Sequence, residues 1–333
     1  MTGAVGMAAA PRPTGYPPMP HAVSLPRFPI DLAAPDLAPW RAGSHGLAGV
    51  HSLDAATPGP HVALLALMHG NEIAGAILLD RLLRAGLRPA RGRLSLAFLN
   101  LDAFDRFDPA QPTLSRFIDE DLNRVWDPAL LDGSVRSRER DRARALRPFL
   151  DTVDIALDLH SMLWEGDPLL LCGQTARGRA LGRALGTPPL VVADAGHPGG
   201  RRLIDYPRFA APGGKPTALL LEAGSHWRNA TLAATEAVVA AFLGRVGVVD
   251  QAEPTPQATP PRLAEVTHAI TATTTNFAFV QPWRSGTVLA RRNSVIAFDG
   301  PTEIRTPYDE CLLVMPSLRA SRGHVAVRLA RFL

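Results

Sequence analysis

His61-Val62-Ala63-Leu64-Leu65-Ala66-Leu67-Met68-His69-Gly70-Asn71-Glu72 carries an apolar run that stops abruptly at a histidine and a carboxylate three residues apart. A short continuous apolar run is the pattern of a strand buried on both faces, as in a parallel sheet. The spacing then predicts a helix from about Glu72 to Ala85, with Ile73, Ala76, Ile77 and Leu83 on its apolar face. Asp80, Arg81 and Arg84 look outward and Gly86 is the expected C-cap. Open α/β sheets place ligands at the carboxyl ends of their strands, which is where His69 and Glu72 fall.

The unit of strand, tight loop and helix repeats. Residues 93–99 read as a second buried strand, 135–149 as a very polar helix and 153–159 as a third strand. Further strands at 169–172, 190–193 and 218–222 alternate with helices near 176–185 and 231–246. This alternation predicts an α/β fold with a mixed, largely parallel sheet flanked by helices. Glu253-Pro254-Thr255-Pro256-Gln257-Ala258-Thr259-Pro260-Pro261 is too proline-rich for helix or central strand and suits a semi-rigid linker. Beyond it, short β runs at 263–270, 277–280, 287–290, 295–298, 311–315 and 324–329 predict a small sandwich or barrel. The expected organisation is a flexible segment at 1–25, an α/β domain at 26–250, a linker at 251–262 and a C-terminal β domain at 263–333.

The chain has 333 residues, 46% hydrophobic and 20% charged, a composition that supports a sizeable core and excludes gross disorder. Two cysteines, Cys172 and Cys311, are too few for a disulfide framework and point to a reducing compartment, the cytoplasm. The Pro-rich start lacks the charged and apolar regions of a signal peptide. No stretch approaches the roughly 18 apolar residues of a membrane span. A net charge of +4 is mild support for anionic ligands. Arg136, Arg138, Arg140, Arg142, Arg144 and Arg147 resemble a nucleic-acid patch, but Glu139 and Asp141 interrupt them, so a solvated helix face is expected and no nucleic-acid partner. A homo-oligomer stays compatible with the sequence.

Imidazole nitrogen and carboxylate oxygen at i, i+3 form a ligand pair that suits zinc. A catalytic zinc site needs a third protein ligand and an open position. His160 supplies the ligand at the end of another apolar run, with Asp158 two positions earlier on the same strand face as the carboxylate that orients it. The alternative is a histidine that merely caps a strand. In a folded chain the three ligating atoms should lie within roughly 3 to 4 Å of one another. Glu222 closes a run of leucines, where a carboxylate is costly unless paired or used. It is either a general base for water or the partner of an arginine at the sheet edge. Arg116-Phe117-Ile118-Asp119-Glu120-Asp121-Leu122-Asn123-Arg124 is dense in forked donors. Arg116, Asn123 and Arg124 suit a substrate carboxylate and an oxyanion, or else the arginines pair with Asp119 and Asp121.

With these motifs in this order, the chain resembles the aspartoacylase and succinylglutamate desuccinylase family of zinc carboxypeptidase-like amidohydrolases. The family's HGNE stands at 69–72, its arginine, acidic and DLNR segment at 116–124, its DLH at 158–160 and its glutamate at Glu222 in Leu-Glu-Ala-Gly. The resemblance implies one zinc per chain on His69, Glu72 and His160, with Glu222 activating water and Arg116 polarising the carbonyl. It also implies that Asn123 and Arg124 hold the carboxylate of an N-acyl amino acid, and that a C-terminal β domain closes over the site. Two other functions compete: a metallocarboxypeptidase acting on peptide C-termini, and a non-catalytic descendant that binds a ligand.

Three departures bear on the substrate. The last tyrosine is Tyr308, and Arg319, Ala320 and Ser321 fall where the family carries a substrate-contacting tyrosine. Ser161-Met162-Leu163-Trp164 replaces the threonines that often follow DLH, and the segment 100–114 is longer than usual. Among the remaining histidines, His197, His226, His268 and His324 lack partners at ligand spacing, and His226, four residues after Glu222, is the one expected near the site. Cys172 is expected in the core.

Overall fold

The structure, a computed structural model, describes residues 27–250 and 260–333. The expected flexible N-terminal segment and most of the proline-rich linker lie outside the described residues. The first half of the chain forms β1 (Val50–Asp54), β2 (His61–Ala66), α1 (Ile73–Arg84), β3 (Arg93–Phe98), α2 (Leu101–Phe104), α3 (Pro128–Asp132), α4 (Arg138–Leu150) and β4 (Ile155–Met162). There follow β5 (Leu169–Leu171), α5 (Ala176–Ala184), β6 (Leu190–Ala193), α6 (Pro207–Ala210), β7 (Thr217–Ser225) and α7 (Asn229–Val246). The C-terminal stretch is all β: β8 (Arg262–Thr271), β9 (Phe277–Phe279), β10 (Val288–Leu289), β11 (Val295–Asp299), β12 (Thr302–Arg305), β13 (Cys311–Val314) and β14 (Val325–Phe332).

Eleven strands form one mixed sheet in the order β1-β3-β2-β4-β7-β5-β6-β8-β14-β13-β10. Its centre, β3, β2, β4 and β7, is parallel, as the apolar runs predict. Successive residues of β2 point to opposite faces. Val62, Leu64 and Ala66 therefore pack with α1 and α7, and Ala63 and Leu65 with α4. Both layers are apolar and buried, which is why this run shows no polar alternation.

Three boundaries differ from expectation for identifiable reasons. Helix α4 starts at Arg138, not Val135, because the Ser137 hydroxyl caps it by accepting from the Arg140 amide at 3.0 Å. Strands β4 and β7 run past the residues where the leucine runs stop, since their parallel ladder continues to His160 opposite Glu222 and, after a bulge, Met162 opposite Ser225. His160 and Glu222 thus stand within paired strands.

The C-terminal strands do not close into a separate sandwich or barrel. Strand β8 pairs in parallel with β6, so β8, β14, β13 and β10 extend the main sheet. A second, antiparallel sheet, β12-β11-β9, packs Ile296 and Ala297 against Cys311, Leu313, Val327 and Leu329. Strand β12 follows the turn at Asp299-Gly300-Pro301, whose breakers mask the strand behind it. No helix among the described residues is long and apolar enough to cross a membrane.

Candidate metal centre and active site

The loop after β2 is shaped by backbone constraints. Leu67 takes a left-handed φ of 58° as the chain leaves the strand. Gly70 is wedged between two other segments: a Cβ there would lie 2.4 Å from the Ala103 carbonyl carbon and 2.5 Å from the Ser115 oxygen. Its amide donates to the Arg116 carbonyl at 3.1 Å, so this glycine joins the metal-ligand loop to the arginine segment.

The structure brings His69, Glu72 and His160 together, all buried, with one ligand atom of each within 4.8 Å of the others. That bound is wider than the expected 3 to 4 Å. The individual contacts are closer: His69 Nδ1 lies 2.7 Å from Glu72 Oε1, and His160 Nδ1 lies 3.1 Å from Glu72 Oε2. Each imidazole turns its other nitrogen toward a second carboxylate. His69 Nε2 is 3.0 Å from Asp121 Oδ1, and His160 Nε2 is 2.9 Å from Asp158 Oδ2, the latter outside hydrogen-bond alignment. The Ser161 amide donates to Glu72 Oε2 at 3.0 Å. Two Nδ1 atoms converging on one carboxylate, each ring backed by another, form a donor set that could hold a metal ion.

Charge is concentrated here. Burial opposes ionisation of Glu72, but His69 and His160 outweigh it and hold this carboxyl well below the usual range. Burial likewise opposes a charged His160, and Asp158 and Glu72 pull it well above the ordinary value. Glu222 faces His160 across the β4–β7 ladder and is pushed up to about 8, first by burial, with Glu72 adding and His160 and Arg116 opposing. Its Oε2 is buried without a hydrogen-bond partner among the described residues.

Arg116 reaches the same centre, donating to Asp121 Oδ2 at 3.0 Å and lying 3.3 Å from Glu72 Oε1 and 2.9 Å from His69 Nε2. Asn123 is buried, and its Oδ1 accepts from the Leu203 amide at 2.8 Å. Arg124 donates to the Asn123 carbonyl at 2.6 Å and sits 3.8 Å from Asp121. Asp121, not Asp119, is the arginines' acidic partner. All seven sequence-predicted site residues line one cavity of about 320 Å³.

The segment 116–124 owes its position to Glu139, a buried carboxylate in the arginine-rich helix α4. Glu139 accepts from the amides of Ile118, Asp119 and Glu120 at 2.7, 3.1 and 3.2 Å and from Asn100 Nδ2 at 3.2 Å. The arginines of α4 are mostly tied down: Arg140 to Glu120, Arg142 to the Leu99 carbonyl and Arg147 to Asp132. Replacing Glu139 by Ala strands several donors and is expected to cost about 2 kcal/mol or more. Urea unfolding of the variant measures this, and an unchanged midpoint with unchanged slope would refute the positioning role.

Sequence reasoning missed part of the cavity wall. Arg202 is buried in bidentate contact with Asp194, at 2.9 and 2.6 Å, and also binds Asp205 at 2.6 Å. Arg328 on β14 is 8% exposed and has Asp194 at 3.9 Å as its nearest acid. A charge inside Val325-Ala326-Val327-Arg328-Leu329-Ala330 was the signal available for it. His197 lines the cavity and is pushed down to about 3, by burial and then by Arg124, Arg328 and Arg202. His226 does lie at the site, as expected: its Nδ1 is 2.6 Å from Ser161 Oγ, and burial first of all lowers it to about 4. His268 and His324 do not line this cavity. Cys172 is buried, and burial pushes its thiol up to about 12.

Fold and site define an α/β protein that collects a buried His–Glu–His group at the carboxyl ends of its central strands, with Arg116, Arg124, Arg202 and Arg328 lining the cavity beside it. Residues 58–174 match the model of the succinylglutamate desuccinylase/aspartoacylase catalytic domain, so the resemblance is borne out over that segment, which holds three of the four motifs; Glu222 lies beyond it. No curated protein matches the chain in sequence. Among solved structures, succinylglutamate desuccinylase from Vibrio parahaemolyticus superposes with a TM-score of 0.65 at 17% identity, over 86% of each chain. The Vibrio cholerae enzyme gives 0.64 at 20% identity, again over 86% of each. A succinylglutamate desuccinylase/aspartoacylase from Rhodobacter sphaeroides gives 0.64 at 19% identity, over 85% of this chain and 88% of the other. These likenesses show a shared fold.

Proposed function

We propose that the protein is a zinc-dependent amidohydrolase that removes the acyl group of an N-acyl amino acid, such as an N-acetyl- or N-succinyl-amino acid. The observation that carries this reading is the convergence of His69 Nδ1 and His160 Nδ1 on the two oxygens of Glu72. These three residues would hold one zinc ion. When bound, zinc lowers the pKa of a water molecule toward neutrality and polarises the scissile carbonyl.

The chain's own residues do the rest. Glu222, held near the operating pH by burial, accepts the proton of the attacking water and delivers it to the departing amine. Arg116 turns its guanidinium toward the developing oxyanion while Asp121 fixes its orientation. Asn123 and Arg124 hold the substrate carboxylate; Asn123 is locked by Leu203 and so presents its amide at low entropic cost. Two buried free cysteines support a reducing, cytoplasmic setting.

The test combines metal analysis with hydrolysis of acetyl-, succinyl- and formyl-amino acids and of C-terminal peptides. One zinc per chain and turnover of an N-acyl amino acid are expected. A reconstituted protein without zinc, or cleavage of peptides alone, would sink the reading.

A further inference from the structure

Beside the catalytic cavity lies a second one of about 620 Å³, and the two are continuous in their lining, since Leu163, Trp164 and Ser317 border both. Its character is different. Phe28, Pro112 and Leu114 line it with Leu163 and Trp164, Arg27 and Arg319 also border it, and no carboxylate among the described residues does. The segment that supplies Pro112 and Leu114 is the stretch just before Arg116. It is held by its own turns, with Gln111 and Leu114 amides donating to the Asp108 and Gln111 carbonyls at 2.9 and 3.1 Å. Leu114 is thereby kept 69% exposed, an apolar side chain offered to solvent at the rim.

The wall shared by the two cavities is tied by packing and a hydrogen bond to the loop that carries His69 and Glu72. Trp164 packs edge-on against Phe28 at 5.8 Å, Phe28 against Trp227 at 5.7 Å, and Trp227 donates its indole N–H to the Asn71 carbonyl at 2.8 Å. A ligand lying along Trp164 is therefore placed relative to His69 and Glu72 by contacts made before it arrives. The catalytic cavity supplies cations for a carboxylate, in Arg124 and Arg328, and the adjoining cavity supplies apolar surface, with Arg27 and Arg319 also in its lining and no acidic group among the described residues. Together they match an amphiphile.

We propose that the cavity beside Trp164 is an acyl-chain subsite, and that the substrates of this protein are amino acids acylated with a medium-length or aromatic apolar group. This rests on the deacylase reading given above and adds to it the class of acyl group. The carboxylate end sits among the arginines, the amide at the metal group, and the hydrocarbon extends past Leu163 and Trp164 toward Leu114. Each methylene buried there is worth about a threefold to fourfold gain in kcat/KM until the cavity is filled.

The experiment measures kcat/KM for acetyl, hexanoyl, octanoyl and benzoyl derivatives of one amino acid, on wild type, Trp164→Ala and Leu114→Ser. Calorimetric binding of octanoate and acetate is measured in parallel, which needs no turnover. Octanoyl is expected to exceed acetyl by about 100-fold or more, and both substitutions to shrink that ratio. Leu114→Ser, at an exposed position, keeps the test sound if the tryptophan variant folds poorly. Octanoate binding that weakens in the variants supports the subsite even if no amide is cleaved, in which case the deacylase reading alone has failed. Equal turnover of acetyl and octanoyl substrates, octanoate binding no tighter than acetate, or cleavage of peptides in preference to acyl amino acids would overturn the inference.

Discussion

Glu222→Gln is expected to lower turnover of N-acyl amino acids by about 10²- to 10⁴-fold, while zinc content stays at the wild-type level. The substitution keeps the shape of a side chain that is buried on β7 opposite His160, so the metal group and the packing persist. What disappears is the proton acceptor. Burying an amide also removes the desolvation cost that pushes the carboxyl up to about 8, so thermal stability should hold or rise. Metal analysis, a melting curve and single-turnover kinetics on one preparation test this. Wild-type turnover, or loss of zinc together with activity, would remove Glu222 from the role of base.

His160→Ala is expected to have the larger combined effect, because His160 serves two carboxylates. One is Glu72, whose Oε2 lies 3.1 Å from Nδ1; the other is Asp158, fully buried, with Oδ2 at 2.9 Å from Nε2. Without the imidazole, zinc binding and activity should fall to background. Asp158 is also left as an uncompensated buried carboxylate, a loss on the order of 3–5 kcal/mol. His69→Ala should likewise abolish zinc binding and yet cost less stability, since Asp121 keeps Arg116 at 3.0 Å and Arg124 at 3.8 Å. Zinc stoichiometry and denaturant unfolding of the two variants check the difference. Equal stability losses would contradict the account of Asp158, and full zinc retention in either variant would contradict the ligand assignment.

The legible part of this molecule is its central sheet. Val62 to Met68 announces a strand buried on both faces because nothing polar is tolerated between two helical layers, and His69 marks its end by contrast. Asp158, His160 and Glu222 were readable for the same reason. The features that escaped depend on partners far away in the chain. Glu139 sits in a helix whose sequence advertises a charged surface, and only the fold shows that its carboxylate points inward to three amides of residues 118–120. Arg202 requires Asp194 and Asp205 to be buried at all, and Arg328 faces the cavity only because β14 has a particular register on β8. The breakers after Asp299 concealed β12, and the free edge of β6 gave no sign that β8 would pair with it.

That last pairing bears on how the cavity can work. Arg328 lies on β14, which is hydrogen-bonded to β8, which is hydrogen-bonded to β6 in the sheet that also holds β7 and Glu222. The spacing between the cation and the carboxylate is thus a property of backbone ladders, like the spacing of two teeth on one comb. A swinging of the C-terminal strands away from the rest would have to break these ladders, so Arg328 and Glu222 are held on one continuous sheet.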